Sequence, residues 1–157
     1  MHNGQISGFE RIRRRLEAML GDTLFDARTG TTDSELLFLL ALEFGLETDP
    51  FGAMAKAIAA VEAISMEMSG HALVRFTAAF SQGTKLYAVR YATDHKPPTL
   101  YAAPMGGKTG YCLVSEPLND DVDSWVEIPD SSAVVICENG MQASLFQPEV
   151  QPLRKTA

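Results

Sequence analysis

Two short segments of this sequence place polar side chains and glycines where they could do chemistry. His2-Asn3-Gly4 stands just ahead of a predicted helix, and Gly30-Thr31-Thr32-Asp33-Ser34-Glu35 opens the most apolar helix that the sequence predicts. Asn3 brings amide donors, and Asp33 brings a carboxylate. Each segment also has an ordinary explanation, because Asn-Gly is a common turn and Thr-x-x-Glu is the capping box of many helices. Either segment alone is therefore weak support for a function.

The first half of the chain predicts the helices that position these segments. Helical spacing of apolar residues predicts three helices, over 9–20, 32–45 and 50–69. The first is amphipathic, and the third carries one apolar stripe that would pack a single face. The second is apolar nearly all round, so we expect it to be buried on most sides. At its start the Thr32 hydroxyl can cap the backbone while Glu35 reaches back to complete the capping box.

The second half of the chain predicts strands, because after Gly70 the apolar residues alternate with polar ones. Alternation over 72–78, the turn Ser81-Gln82-Gly83 and the run 85–91 predict a hairpin. Further strands are predicted over 100–103, 111–115, 125–128, 133–137 and 142–146. Asn139-Gly140 predicts a hairpin turn between the last two. Helices followed by strands indicate an α+β layered domain.

Composition excludes several classes of protein. A chain of 157 residues with 46% hydrophobic and 21% charged content is typical of one globular domain. We find no apolar run of membrane-spanning length and no secretory signal, so we expect a cytoplasmic protein with no membrane partner. The net charge is −7, and the cluster of Arg11, Arg14 and Arg15 is predicted to be a solvated helix face. Nucleic acid is therefore not expected as a partner.

The two cysteines, Cys112 and Cys137, have neither metal-ligand spacing nor the pattern of a disulfide framework. They are predicted to be buried free thiols in a reducing compartment. The sequence has no motif for a metal or an organic cofactor, and we expect neither. His71 and His95 are predicted to be surface or strand residues, and Arg90 and Glu116 are not assigned to catalysis.

Together, in this order and at this separation, the two polar segments resemble the second half of the glutaminase domain of class II glutamine amidotransferases. In that family an apolar strand ends in His-Asn-Gly before a helix, as in Met1 to Phe9 here. A Thr-Asp-Ser/Thr-Glu segment follows, here Thr32-Asp33-Ser34-Glu35. Other segments are similar to the stand-alone bacterial branch, which includes the ergothioneine-pathway amidohydrolases and the glutathione-degrading amidotransferase subunit: Leu86-Tyr87-Ala88-Val89-Arg90-Tyr91, Leu100-Tyr101, Val114-Ser115-Glu116-Pro117-Leu118 and Trp125.

The resemblance implies roles for three residues in acyl transfer from glutamine or a γ-glutamyl small molecule. The tetrahedral oxyanion of such a reaction must be met by donors already in place. The family gives this task to the side-chain amide of Asn3 and the backbone N–H of Gly4, where glycine permits close approach of the substrate. The family also places the anion that binds the substrate's α-ammonium at Asp33. His2 has a structural role in this comparison, and Thr32 and Glu35 remain capping residues.

The sequence departs from the family at its start. The family's nucleophile is an N-terminal cysteine whose own α-amino group is the base, and it lies upstream of His-Asn-Gly, together with a His-x-Arg segment whose arginine pairs with the substrate's α-carboxylate. Cys112 and Cys137 lie in predicted strands and have no free amine. We therefore expect this chain alone to be inactive and to need an N-terminal segment or a complementary chain. A gene start placed too late, a fragment and a short protein with a second chain all remain open for Met1.

Two functions follow as hypotheses. One is the C-terminal part of an amidotransferase or amidohydrolase that works through a cysteine thioester, and the other is a non-catalytic γ-glutamyl-binding or assembly module. For the fold, the resemblance implies part of an N-terminal-nucleophile (Ntn) hydrolase α/β/β/α four-layer sandwich with antiparallel sheets. The amidotransferase-like domain is expected over 1–146, with a frayed tail over 147–157.

Overall fold

The structure is a computed structural model that describes residues 1–105, 110–121, 124–138 and 140–149. Its helices are α1 (Phe9–Glu17), α2 (Asp22–Asp26), α3 (Asp33–Glu43) and α4 (Pro50–Ser69). Its strands are β1 (His2–Ile6), β2 (Val74–Gln82), β3 (Lys85–Ala92), β4 (Tyr101–Pro104), β5 (Tyr111–Val114), β6 (Val126–Glu127), β7 (Ser132–Cys137) and β8 (Gly140–Leu145). The α+β prediction is therefore confirmed.

The chain divides into two units. The sheet unit comprises Met1–Gly4 and Arg75–Phe146, and the helical unit comprises Gln5–Val74 together with the described residues that follow Phe146. The tail predicted over 147–157 lies largely outside the described residues and stays a prediction.

In the helical unit, α1 packs against α3 and α4, and α3 packs against α4. The three predicted helices are present, and the short α2 was not predicted. As expected, α3 is buried on most sides, at Leu36, Leu37, Leu39, Leu40 and Ala41. The expectation that α4 packs a single face is wrong, since its buried residues run almost continuously from Ala53 to Ser65. Many of them are alanines, whose small side chains let neighbouring helices approach and give little hydrophobic signal in the sequence.

Local chemistry explains where these helices begin and end. The Thr32 hydroxyl accepts a hydrogen bond from the N–H of Glu35 at 3.3 Å, which caps α3. Asp49 Oδ1 accepts from the N–H of Gly52 at 3.1 Å ahead of α4, and Pro50 supplies the first residue of that helix. Gly70 ends α4 with a φ of 73°, a backbone conformation that suits glycine. Arg11, Arg14 and Arg15 are exposed, as the solvated-face prediction requires.

Two antiparallel sheets form the sheet unit. The larger has the strand order β1-β2-β3-β7-β8, and the smaller has the order β5-β4-β6. The predicted hairpin is β2 and β3, which pair from Arg75 with Ala92 to Gln82 with Lys85. The predicted pairing of β7 with β8 is also present, with Cys137 opposite Gly140. The Asn139 half of its predicted Asn-Gly turn lies outside the described residues.

The core of the sheet unit contains residues from both sheets. Ala88, Val134 and Ile136 of the larger sheet pack with Ala102 of the smaller one and with two residues that flank its strands, Leu100 and Ile128. All six are almost fully buried, so burial of apolar surface holds the sheets together.

The first strand differs from its prediction. The family resemblance implies that a strand ends at His2-Asn3-Gly4, whereas β1 runs from His2 to Ile6 and contains the whole tripeptide. Ile6 is buried, and the N–H of Ser7 donates to the carbonyl of Leu73 at 2.9 Å, which keeps the chain extended past the glycine. Asn3-Gly4 is therefore not a turn, and the ordinary explanation of that dipeptide does not apply here.

Within the described ranges, no helix is long and apolar enough to cross a membrane. The same part of the chain holds no group of three or more His, Cys, Asp or Glu side chains placed to bind a metal ion.

Arg90 of β3 links several segments of the sheet unit through hydrogen bonds from its guanidinium group. Its side chain is nearly buried, and its Nε donates to the carbonyl of Pro98 at 3.0 Å. Its Nη1 donates to Glu127 Oε1 at 2.8 Å and also to the carbonyl of Ile128. One guanidinium thus joins the central strand of the large sheet to Pro98, which precedes the small sheet, and to Glu127 and Ile128 at the end of β6.

Arg90→Ala is expected to lower the free energy of unfolding by about 1–3 kcal/mol, because the buried carbonyl of Ile128 loses a charged donor. Urea denaturation of the 157-residue chain measures this. Arg75→Ala on the neighbouring strand is the control, because Arg75 forms a more exposed ion pair with Asp94 at 2.7 Å and such pairs contribute about 0–1 kcal/mol. Equal decreases in the free energy of unfolding for the two variants would contradict the stabilising role assigned to Arg90.

Candidate functional site

Asn3 lies on β1 with its side chain exposed. No described residue forms a hydrogen bond with its side-chain amide. Beside it, the His2 ring packs against Phe76, with 4.8 Å between ring centroids and 33° between planes. This contact agrees with the structural role predicted for His2. The strand thus anchors one side chain in the sheet unit and leaves the neighbouring amide NH₂ available to a ligand.

Gly4 is required by the backbone around it. A Cβ at this position would lie 2.1 Å from the carbonyl oxygen of Arg75 and 2.7 Å from His2 Nε2. Contacts this short do not occur for real Cβ atoms, and the nearer one is with backbone, which cannot turn aside. The close approach of β1 to β2 therefore demands glycine, whether or not its N–H serves chemistry.

Asp33 is the first residue of α3, and its side chain is half-buried. Its Oδ1 accepts from the N–H of Ser34 at 2.7 Å and lies 3.3 Å from the Ser34 hydroxyl. No described residue donates to its Oδ2. A carboxylate at a helix N-terminus is favoured by the helix dipole. Asp33 therefore presents one oxygen held by its own helix and one oxygen open to a cationic partner.

Glu35 differs from the predicted capping box. Its Oε1 accepts from the N–H of Thr29 at 2.8 Å and from the Thr29 hydroxyl at 3.0 Å, and its Oε2 accepts from the N–H of Gly30 at 2.7 Å. These partners precede Thr32, the residue whose N–H a capping box would bind. The hydrogen bond from Thr29 holds the pKa of the Glu35 carboxyl below its ordinary value. The stability it contributes is present above the ordinary pKa and is lost as pH falls through the lowered one.

Comparison with known proteins identifies the family. No protein-family model and no curated protein sequence matches this chain. Among solved structures, a glutamine aminotransferase class-II domain protein from Silicibacter pomeroyi matches with a TM-score of 0.87 and 42% sequence identity. The match covers 95% of this chain and 67% of that one. The chain belongs to the class II glutamine amidotransferase family.

Two more distant structures share the fold of this family member. Glutamine phosphoribosylpyrophosphate (PRPP) amidotransferase from B. subtilis, complexed with ADP and GMP, matches with a TM-score of 0.58 and 18% identity over 95% of this chain and 29% of its own. A structure described as the allosteric regulatory enzyme of purine biosynthesis matches with a TM-score of 0.60 and 19% identity over 95% and 28%. The predicted class, an Ntn-hydrolase fold with helices and antiparallel sheets, is confirmed.

The loop that precedes Asp33 is also tied to α1. Arg28 forms an ion pair with Glu17 through Nη1, and Arg13 Nε donates to the same Glu17 oxygen at 2.6 Å. Burial opposes ionisation of Glu17, but the hydrogen bond from Arg13 and the charges of both arginines outweigh it, so the pKa of Glu17 lies below its ordinary value. The guanidinium of Arg28 also lies 5.4 Å from the centroid of the Phe25 ring.

The sequence-predicted residues fall in both units. Asn3 and Gly4 are consecutive residues of the sheet unit, and Asp33 belongs to the helical unit.

Sequence reasoning missed the side-chain hydrogen bonds of Glu35 to Thr29 and Gly30. The signal that could have found them is the pair of small residues, Thr29 and Gly30, in a loop that an acidic side chain in the first turn of α3 can reach.

The remaining candidates are the two cysteines and two of the histidines. Cys112 on β5 and Cys137 on β7 are free thiols, but both are half-buried, so the prediction that they are buried is wrong. Cys112 lies on β5, at the edge of the smaller sheet, and Cys137 is the last residue of β7, so part of each side chain stays accessible. His71 and His95 are exposed, in agreement with surface positions, and His95 Nδ1 lies 2.9 Å from Asp130 Oδ2.

Proposed function

We propose that this chain supplies the oxyanion donors and the substrate-binding acid of an amide hydrolase that acts on glutamine or a γ-glutamyl amide. Membership of the class II glutamine amidotransferase family supports the reaction class. The observation that carries the proposal is Asn3, an exposed amide on a strand, with no hydrogen-bond partner for its side chain among the described residues. A donor held on a strand is already in place when charge develops on a substrate oxygen.

The proposed reaction passes through a γ-glutamyl thioester. A cysteine thiolate attacks the side-chain carbonyl carbon of the substrate, and the carbonyl oxygen becomes an oxyanion that accepts from the Asn3 NH₂ and the Gly4 N–H. The C–N bond then breaks, and ammonia leaves with the proton that the cysteine's α-amino group took from the thiol. Water cleaves the thioester and releases glutamate. An N-terminal segment or a complementary chain supplies the cysteine.

Asp33 is proposed to bind the α-ammonium of the substrate. Its Oδ1 is engaged by Ser34, so the open Oδ2 is the oxygen that accepts from the ammonium. A hydrogen bond between a carboxylate and an ammonium group is charge-assisted and stronger than a neutral one. Asp33 therefore contributes affinity and selects substrates with an unsubstituted α-amino group.

The 157-residue polypeptide is expected to bind L-glutamine without releasing ammonia. Its thiols, Cys112 and Cys137, lie on strands β5 and β7 and carry no adjacent α-amine. Calorimetric titration measures the binding, and a coupled assay measures ammonia. A form extended by a segment that begins with cysteine is expected to turn over glutamine and to be labelled by a glutamine-mimicking electrophile, and its Cys→Ala variant is the control.

Turnover by the 157-residue chain at an ordinary enzyme rate would show that the account of the nucleophile is wrong. If the extended form binds glutamine but neither hydrolyses it nor is labelled, the chain is instead a non-catalytic γ-glutamyl-binding module.

A further inference from the structure

We infer that Glu35 is a positioning residue for Asp33 in glutamine binding, because its carboxylate holds in place the loop that leads into the Asp33 turn. This inference rests on the proposed binding of the substrate ammonium by Asp33. Glu35 itself touches no substrate in this account.

The loop that leads into α3 is exposed at all four of its residues, Thr29, Gly30, Thr31 and Thr32. Burial of apolar surface therefore contributes little to its order, and hydrogen bonds must supply it. The carboxylate of Glu35 accepts three of them, two from Thr29 and one from Gly30, at 2.7 to 3.0 Å. Its own N–H donates a fourth to the Thr32 hydroxyl. Glu35 thus contacts three of the four loop residues.

The hydrogen bonds that the Glu35 carboxylate accepts differ from those of a helix cap. A capping glutamate satisfies the N–H of the N-cap residue, here Thr32. Glu35 instead bonds residues five and six positions upstream, so it closes a loop rather than a helix end. The other side of the loop is tied at Arg28, through its ion pair with Glu17. These contacts restrain the chain between Arg28 and the start of α3.

Asp33 lies immediately after this closed loop. Its Oδ1 accepts from the N–H of Ser34 at 2.7 Å, and both residues belong to the first turn of α3. If the loop opens, the first turn frays, Ser34 releases Oδ1, and the open Oδ2 loses its fixed direction. An ordered carboxylate binds more tightly than a mobile one, because less conformational entropy is lost on binding.

Glu35→Asp tests this because it keeps the charge and shortens the reach by one methylene, so the carboxylate no longer contacts Thr29 and Gly30 together. Glu43→Asp is the matched control on the same helix, since Glu43 Oε2 accepts from the N–H of Gly21 at 3.0 Å. The ligands are L-glutamine and glutaramate, the same amide without the α-amino group. Glu35→Asp is expected to weaken L-glutamine binding by about tenfold, with glutaramate binding unchanged. Glu43→Asp should alter neither.

Several outcomes would overturn the inference. Equal losses for both ligands would mean that Glu35 only supports the fold. Unchanged L-glutamine affinity in Glu35→Asp, with a loss only in Glu35→Gln, would mean that its charge acts from a distance. Asp33→Asn separates the proposed substrate binding by Asp33 from the positioning role of Glu35. If Asp33→Asn leaves L-glutamine affinity unchanged, the proposed role of Asp33 fails. If Asp33→Asn lowers L-glutamine affinity and Glu35→Asp does not, only the positioning role of Glu35 fails.

Amide hydrogen exchange without ligand provides a readout that does not depend on affinity. Glu35→Asp is expected to accelerate exchange at Thr29, Gly30 and Ser34, while the interior of α3 stays protected. Acceleration at Thr29 and Gly30 with Ser34 unchanged would show that the loop and the Asp33 turn are independent, which would overturn the inference even if no ligand binding were measurable.

Discussion

Asn3→Ala is expected to lower the glutamine turnover number by about 10²–10³-fold in a form of this chain extended by a segment that begins with cysteine. The Asn3 amide is proposed to donate to an oxyanion that exists only after the thiolate has attacked. An interaction made only in the transition state affects kcat and kcat/KM together and leaves KM nearly unchanged. Steady-state kinetics with L-glutamine measures both parameters.

Gln5→Ala is the matched control for Asn3, because Gln5 is another exposed amide side chain on β1. It should leave turnover unchanged. Asp33→Ala should instead raise KM, since the α-ammonium is bound in the ground state and in the transition state alike. If Asn3→Ala and Asp33→Ala changed kcat and KM in the same way, the roles assigned to the two residues would be wrong.

The sequence predicted the helices and strands well where local chemistry decides them. Thr32 and Asp49-Pro50 mark helix starts, and Gly70 marks a helix end, because caps and left-handed residues act through their immediate neighbours. The alternation before and after Ser81-Gln82-Gly83 likewise defines the hairpin of β2 and β3. The burial of α4 was underestimated, because tertiary contacts of its alanines with other helices leave no periodic signal.

The candidate site residues come from sequence motifs, and their roles stay predictions. The order of two motifs predicts Asn3, Gly4 and Asp33, and the solved structure that matches this chain confirms the family resemblance on which that prediction depends. The extension of β1 to Ile6 depends on pairing with a distant strand, so the turn that Asn-Gly commonly forms is absent at Asn3-Gly4. The hydrogen bonds from Thr29 and Gly30 to Glu35 depend on the conformation of a loop, which the spacing of residues in the sequence does not predict.

Gly4→Ala is expected to destabilise the chain by about 1–3 kcal/mol, the usual cost of inserting a methyl group where none fits. The Cβ would lie 2.1 Å from the carbonyl oxygen of Arg75, so β1 and β2 must separate. This loss should appear although alanine normally stabilises a strand relative to glycine by roughly 0.5–1 kcal/mol. Urea denaturation of the 157-residue chain measures it, and faster amide exchange in β1 would locate it.

Gly21→Ala is the control, because Gly21 is also extended and its added Cβ would meet nothing closer than Glu43 Oε2 at 3.5 Å. A substitution without such a clash should change stability by no more than about 0.5 kcal/mol. Gly4→Ala is expected to displace the strand that carries Asn3. A loss of turnover in that variant would therefore not measure the contribution of the Gly4 N–H alone. Asn3→Ala remains the cleaner test of the oxyanion donors. If Gly4→Ala left stability unchanged, the close approach of the strands would not explain the glycine, and its N–H would be the remaining reason for it.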